Sequence, residues 1–190
     1  MDNTVSHREN VGHTYKDCDG FAPIMCNLGI EGFLLHHELR MGTQHCQKNA
    51  PNLLKHNFNL LENLNSSHPV LVRMDAGNDS ADTIEFLRTS GHAFILKCNL
   101  RSDSSVRWLS HAIFQDKPEH PREGKEVHIG TLEHDKKSER EPLSSDYQVT
   151  CRSIDKLLVH EIEMESYWTN LGESLRDIIA LYHDHGTSEQ

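Results

Sequence analysis

This chain has no CxxC pair, no uninterrupted apolar run of membrane-spanning length and no surplus of basic residues. Its five cysteines, Cys18, Cys26, Cys46, Cys98 and Cys151, are scattered and odd in number, which fits reduced thiols and a cytoplasmic compartment better than a disulfide framework. The start, Met1-Asp2-Asn3-Thr4, lacks the basic and apolar organisation of a secretory signal, so the expectation is a soluble protein with no membrane partner. Asp and Glu number 29 against 19 Lys and Arg, a formal charge of −10 at pH 7. That balance argues against a general nucleic-acid coat, because phosphate binding leans on cations that release counterions. Any DNA role is therefore local, or shared with other parts of a larger protein. The 190 residues, 36% hydrophobic and 25% charged, suit one domain with one core.

The patterning predicts an α/β chain. Phe21 to Leu28 and Ile30 to Leu39 are strand-like segments around Asn27-Leu28-Gly29, whose Asn and Gly suit a hairpin turn. From Pro51 to Leu64, the apolar residues Leu53, Leu54, Phe58, Leu60, Leu61 and Leu64 recur at helical spacing, with Pro51 opening the first turn. A short strand over Val70 to Met74 precedes a helix through Ile84 and Leu87 capped by Asp79 or Ser80, and Ala93 to Leu96 reads as a second buried strand, which implies one βαβ crossover. The polar stretch from Ser102 to Tyr147 reads as hairpins and turns, and strand patterns follow towards Tyr167, although Leu157 to Met164 also fits a helix. Leu171, Leu175, Ile178, Ile179 and Tyr182 fall on one helical stripe. The expected organisation is a core over 1–101, an insertion over 102–168 that is β-rich or partly disordered, and a final helix over 169–190.

Chemistry concentrates in two places. Val70-Leu71-Val72-Arg73-Met74-Asp75-Ala76-Gly77 is an apolar run ending in an acid and a glycine turn, the way α/β enzymes present a metal-binding carboxylate; an isolated acid at a strand end also serves as a cap or turn former. Asp79 and Asp82 read as cap and first-turn charges. Lys97, Asn99 and Arg101 suit either a phosphate backbone or plain solvent exposure. The second place is Tyr182-His183-Asp184-His185-Gly186-Thr187-Ser188-Glu189-Gln190. The 15 histidines raise a zinc reading at His36, His37, His45 and Cys46, or at His183, Asp184 and His185, but the spacing matches no closed zinc site. Neighbouring His36 and His37 would face opposite sides of a strand.

Taken together, Thr14-Tyr15-Lys16 with Asp19-Gly20-Phe21-Ala22-Pro23-Ile24, Glu38-Leu39-Arg40 with Gln44-His45-Cys46-Gln47, Arg73-Met74-Asp75-Ala76-Gly77-Asn78-Asp79 and the Tyr182 to Gln190 segment make nearly the whole chain resemble a known family. It resembles bacterial insertion-sequence transposases of the acidic-triad (DDE) type, the cut-and-paste group with a ribonuclease H-like catalytic domain. The resemblance implies that Asp75 is the second acid and Glu189 the third, both catalytic and both metal ligands. Tyr182 and His185 would contact DNA phosphates or orient the glutamate, sharing one face of a continuous helix with it. The implied cofactor is Mg²⁺ or Mn²⁺, two ions in the complete enzyme, since hard cations take carboxylate and phosphate oxygens and a pair of them stabilises both the attacking and leaving oxygens. The implied partner is DNA, at transposon ends and target, with self-association of the transposase.

The family's first acid sits on a strand upstream of the segment matching Asp2-Asn3-Thr4, and its signature lysine would lie beyond Gln190. The expectation is thus a ribonuclease H-like mixed sheet flanked by helices, truncated at both ends, with a polar, partly β insertion and no first core strand. Such a fragment would be inactive alone, with Asp2 the available substitute for the first acid. The competing expectations are a non-catalytic DNA-binding or transposase-interacting regulatory fragment, and, behind it, a metal-dependent phosphohydrolase suggested by His183-Asp184.

Overall fold

The computed structural model describes residues 9, 11–14, 17–64, 68–100, 104–115, 117–134, 143–152 and 161–184, in two units: Met1–His68 with Asp184–Gln190, and Pro69–His183. In the first unit, β1 (Gly12–His13) pairs antiparallel with β2 (Asp19–Gly20), and β3 (Ile24–Leu28) with β4 (Phe33–Glu38). The β3–β4 hairpin matches the two strand segments expected, but its turn is later. Gly29 and Gly32 both adopt positive φ, so Ile30 and Glu31 lie in the turn and not in a strand. The first helix, α1 (Ala50–Asn63), starts with Pro in its first turn, as expected, and buries Leu53, Leu54 and Phe58.

The second unit is built on one mixed six-stranded sheet. β5 (Leu71–Met74) lies parallel to β6 (Ala93–Lys97), and the connection between them carries α2 (Ala81–Thr89), the βαβ crossover expected. The Ser80 hydroxyl accepts from Thr83 N–H and caps α2, with Asp82 in its first turn. The stretch expected as hairpins and turns instead begins with a helix, α3 (Ser105–Gln115), which buries Trp108 and Ala112 four residues apart. It continues as β7 (Glu119–Arg122), β8 (Lys125–His134), β9 (Leu143–Arg152) and β10 (Glu161–Thr169), all antiparallel to their neighbours. The order across the sheet is β5-β6-β10-β9-β8-β7, so these strands extend the sheet begun by β5 and β6. Of the stretch left open between strand and helix, residues 161–164 are strand, and 157–160 lie outside the described residues.

The second half of the sheet is fastened to the first by a side chain as well as by strand pairing. Asn170 Oδ1 accepts from Phe94 N–H at 2.9 Å while its Nδ2 donates to the His92 carbonyl at 2.9 Å, continuing the ladder where β10 ends. The last helix, α4 (Leu175–His183), is opened by Ser174, whose hydroxyl accepts from Asp177 N–H. Successive strand residues face opposite sides, so the sheet has two distinct layers. Ile95 and Tyr167 pack with Ile178, Ile179 and Tyr182 of α4, while Tyr147 and Val149 pack with Trp108 and Ala112 of α3 on the other face.

Candidate functional site

Asp75 is the first residue beyond β5, at the carboxyl end of the parallel pair. Its backbone is extended, and a 3-10 turn over Ala76–Asn78 follows at once. The carboxylate is exposed, and Oδ1 accepts from Asn78 Nδ2 at 2.6 Å. Asn78 is itself buried and its N–H donates to the Asp75 carbonyl, so the turn fixes the direction of the acid without covering it. Two residues back, Arg73 donates to the Leu181 carbonyl at 2.8 Å, which holds the last turn of α4 over the end of β5.

Asp79, expected as a helix cap, does something else. Ser80 is the cap, and the Asp79 carboxylate accepts from Asn99 N–H at 2.7 Å and from Trp168 Nε1 at 3.1 Å. It joins the turn after β5 to the end of β6 and to β10. Asn99, considered for a phosphate contact, therefore serves this strut through its backbone; Arg101 lies outside the described residues.

Beside Asp75 in the sheet, Lys97 ends β6 and donates to Glu165 at 2.6 Å. Glu165 also accepts from the Tyr167 hydroxyl at 3.0 Å and lies 3.0 Å from His183 Nε2. Burial pushes this carboxyl up, but the hydrogen bond and charge of Lys97, with Tyr167 and His183, more than offset it and hold Glu165 below the ordinary range. Tyr167 moves upward, first through burial and then through the adjacent carboxylate, so its phenol stays protonated and donating. All four groups share one polar network at the carboxyl end of α4, where a helix favours positive charge and His183 stands.

The other expected site residues fall differently. Tyr182 is 6% exposed, its ring centroid 4.7 Å from that of Tyr167 and 5.8 Å from Lys97 Nζ, so the ring belongs to the core. α4 ends at His183, and Asp184 lies outside it. His185, Glu189 and Asp2 lie outside the described residues. Among the described residues no cluster of three or more His, Cys, Asp or Glu is placed to hold a metal ion.

In the first unit, Arg40 of the Glu38-Leu39-Arg40 motif is buried, donating to the carbonyls of Cys46 and Lys48 and to Glu38 at 2.7 Å. That arginine clamps the turns leading into α1. The five cysteines are all free thiols. Sequence reasoning passed over Glu165 and Tyr167; the alternation Glu161-Ile162-Glu163-Met164-Glu165 was the one local signal that a face of β10 is charged.

No protein-family profile matches the chain, and no curated protein sequence does either. No helix among the described residues is long and apolar enough to cross a membrane.

Proposed function

We propose that Asp75 is a metal-binding catalytic carboxylate of a DNA transposase core of the ribonuclease H-like, acidic-triad kind, acting in phosphodiester cleavage and strand transfer. The observation that carries the reading is its placement: an exposed acid at the carboxyl end of a parallel strand, aimed by Asn78, where α/β sheets commonly place their ligands. A mixed six-stranded sheet flanked by helices gives the α/β setting that this reading needs. The donor chemistry fits Mg²⁺ or Mn²⁺ in kind, since Asp75 offers a hard oxygen, and Glu189 would add a second carboxylate. When bound, such ions stabilise the charge on the attacking and leaving oxygens. The chain's own residues supply position: Asn78 orients the acid, and Arg73 anchors α4 beside it.

Paramagnetic broadening tests this without requiring turnover. Mn²⁺ should broaden the amide resonances of residues 74–78 in the intact protein and leave them sharp in Asp75→Ala. Nicking of transposon-end duplex DNA, where it occurs, should vanish with Asp75→Ala and with Glu189→Ala. Equal broadening in the wild type and Asp75→Ala would remove Asp75 from the mechanism.

One observation favours the second reading, a regulatory fragment that associates with a transposase. Met25, Ile30, Phe33 and Leu34 are each more than half exposed on a single hairpin, an apolar concentration that water disfavours. Sedimentation of Phe33→Ser against the wild type would separate the two: an oligomer dissolved by that change supports association, and a monomer in both argues against it.

A further inference from the structure

Among the described residues, α4 covers only part of the sheet face on its side. Ile178, Ile179 and Tyr182 occupy the part over Ile95 and Tyr167, and beyond His183, where the helix stops, the face continues as a polar groove of about 570 Å³. Its floor comes from β8, β9 and β10, with Lys125, Gln148, Thr150 and Arg152 on the first two strands. Strand register places Lys125 opposite Arg152, and Thr150 opposite Glu163.

The charges in this groove are unequally matched. Glu165 is neutralised by Lys97, and Glu163 takes the Arg152 fork through both oxygens, at 2.9 and 2.7 Å. Glu161 lies 3.9 Å from the same guanidinium but does not line the groove. Half-buried Lys125 has no carboxylate partner among the described residues, and the buried Nε of Arg152 has no acceptor among them. Among the described residues the groove therefore holds one unpaired ammonium, that of Lys125, next to the Thr150 hydroxyl and the Gln148 amide, while the Arg152 guanidinium is engaged by Glu163.

We propose that this groove is a phosphate-binding subsite, in which Lys125 pairs with the anion while Thr150 and Gln148 donate to its oxygens. An ammonium with a hydroxyl and an amide beside it, on two neighbouring strands, suits the several acceptor oxygens of a phosphoryl group. The volume is in the range of a nucleotide-sized ligand. The phosphoryl group is either a free monoester or a backbone phosphodiester of DNA. The subsite stands on its own residues and does not depend on the Asp75 reading.

The test is a nuclear magnetic resonance titration of the full chain, first with inorganic phosphate, then with a nucleoside 5′-monophosphate and with duplex DNA. Saturable shifts at Lys125, Gln148 and Thr150 are expected, with affinity weakened about tenfold in Lys125→Gln, the loss of one charged hydrogen bond. Thr150→Val should weaken it less, and both variants should keep the thermal midpoint. Displacement of phosphate by duplex DNA assigns the source to a backbone, whereas binding of the monophosphate unaffected by duplex assigns it to a small molecule. Absence of saturable binding, or affinity unchanged in both variants, overturns the proposal. Asp75→Ala should bind phosphate as the wild type does, so failure of the subsite and failure of the catalytic reading are seen separately.

Discussion

The two faces of the six-stranded sheet are made by the same strands and differ in almost everything else. Towards α3, Tyr147 and Val149 are fully buried and Ile162 and Met164 pack around them. Towards α4, the residues between them, Gln148, Thr150, Glu163 and Glu165, line a polar groove. One step along β10, from Ile162 to Glu163 or from Met164 to Glu165, thus changes an apolar packing position into a charged groove one. The contrast separates what holds this unit together from what is free to bind, and it can be tested residue by residue.

The largest effect is expected on the α3 face. Tyr147→Ala should lower unfolding free energy by about 3–5 kcal/mol in urea titrations, the usual cost of emptying a buried aromatic site. Its neighbour Gln148, changed to alanine, should stay within ~0.5 kcal/mol. Equal losses at the two positions would abolish the distinction.

Glu165→Gln should rank next, at about 1–3 kcal/mol, because it leaves the part-buried Lys97 without its anion. This substitution also has a pH signature. A carboxyl whose folded value lies below its ordinary 4.5 adds stability that is fully present above that value and is lost as pH falls through the folded one. The wild type should therefore lose more stability than Glu165→Gln as the solution is acidified below about that value. Parallel acid unfolding curves would show that the Lys97 pair contributes nothing.

Asp79→Ala should cost less, about 1–2 kcal/mol, by removing the shared acceptor of Asn99 N–H and Trp168 Nε1. Trp168 fluorescence reports it directly, with a shift that Asp82→Ala does not reproduce. Among the acids, the smallest stability effect belongs to Asp75→Ala, about 1 kcal/mol, because the acid is exposed and only the Asn78 amide loses its acceptor. If unfolding instead showed Asp75 to be a main support of the turn, its place as a free functional carboxylate would be lost.

Local regularities carried the first hundred residues. The hairpin, α1 behind Pro51, the strand before Asp75, the Ser80 cap and β6 all follow from spacing and turn chemistry that a few adjacent residues determine. α3 did not, because Trp108 and Ala112 are set among polar residues and their stripe gains meaning only against Tyr147 and Val149. Asp75 was legible from its strand and glycine turn. Glu165 was not, since its partners Lys97 and His183 come from strands and helices remote in sequence. Asp79 was assigned to the wrong task for the same reason: a cap is a local event, whereas its real partners include Trp168, 89 residues away.

The clasp formed by Asn170 has a consequence in time. Phe94 waits for a partner 76 residues further along, so β6, with Phe94, Ile95 and Leu96 all nearly inaccessible in the finished sheet, is synthesised long before the strand that covers its free side. Translation proceeds at roughly 5–20 residues per second, which leaves that apolar edge open for several seconds on the ribosome. Distant closure of this kind also slows folding once the chain is complete. The order of synthesis therefore makes β6 the segment most in need of a chaperone's cover.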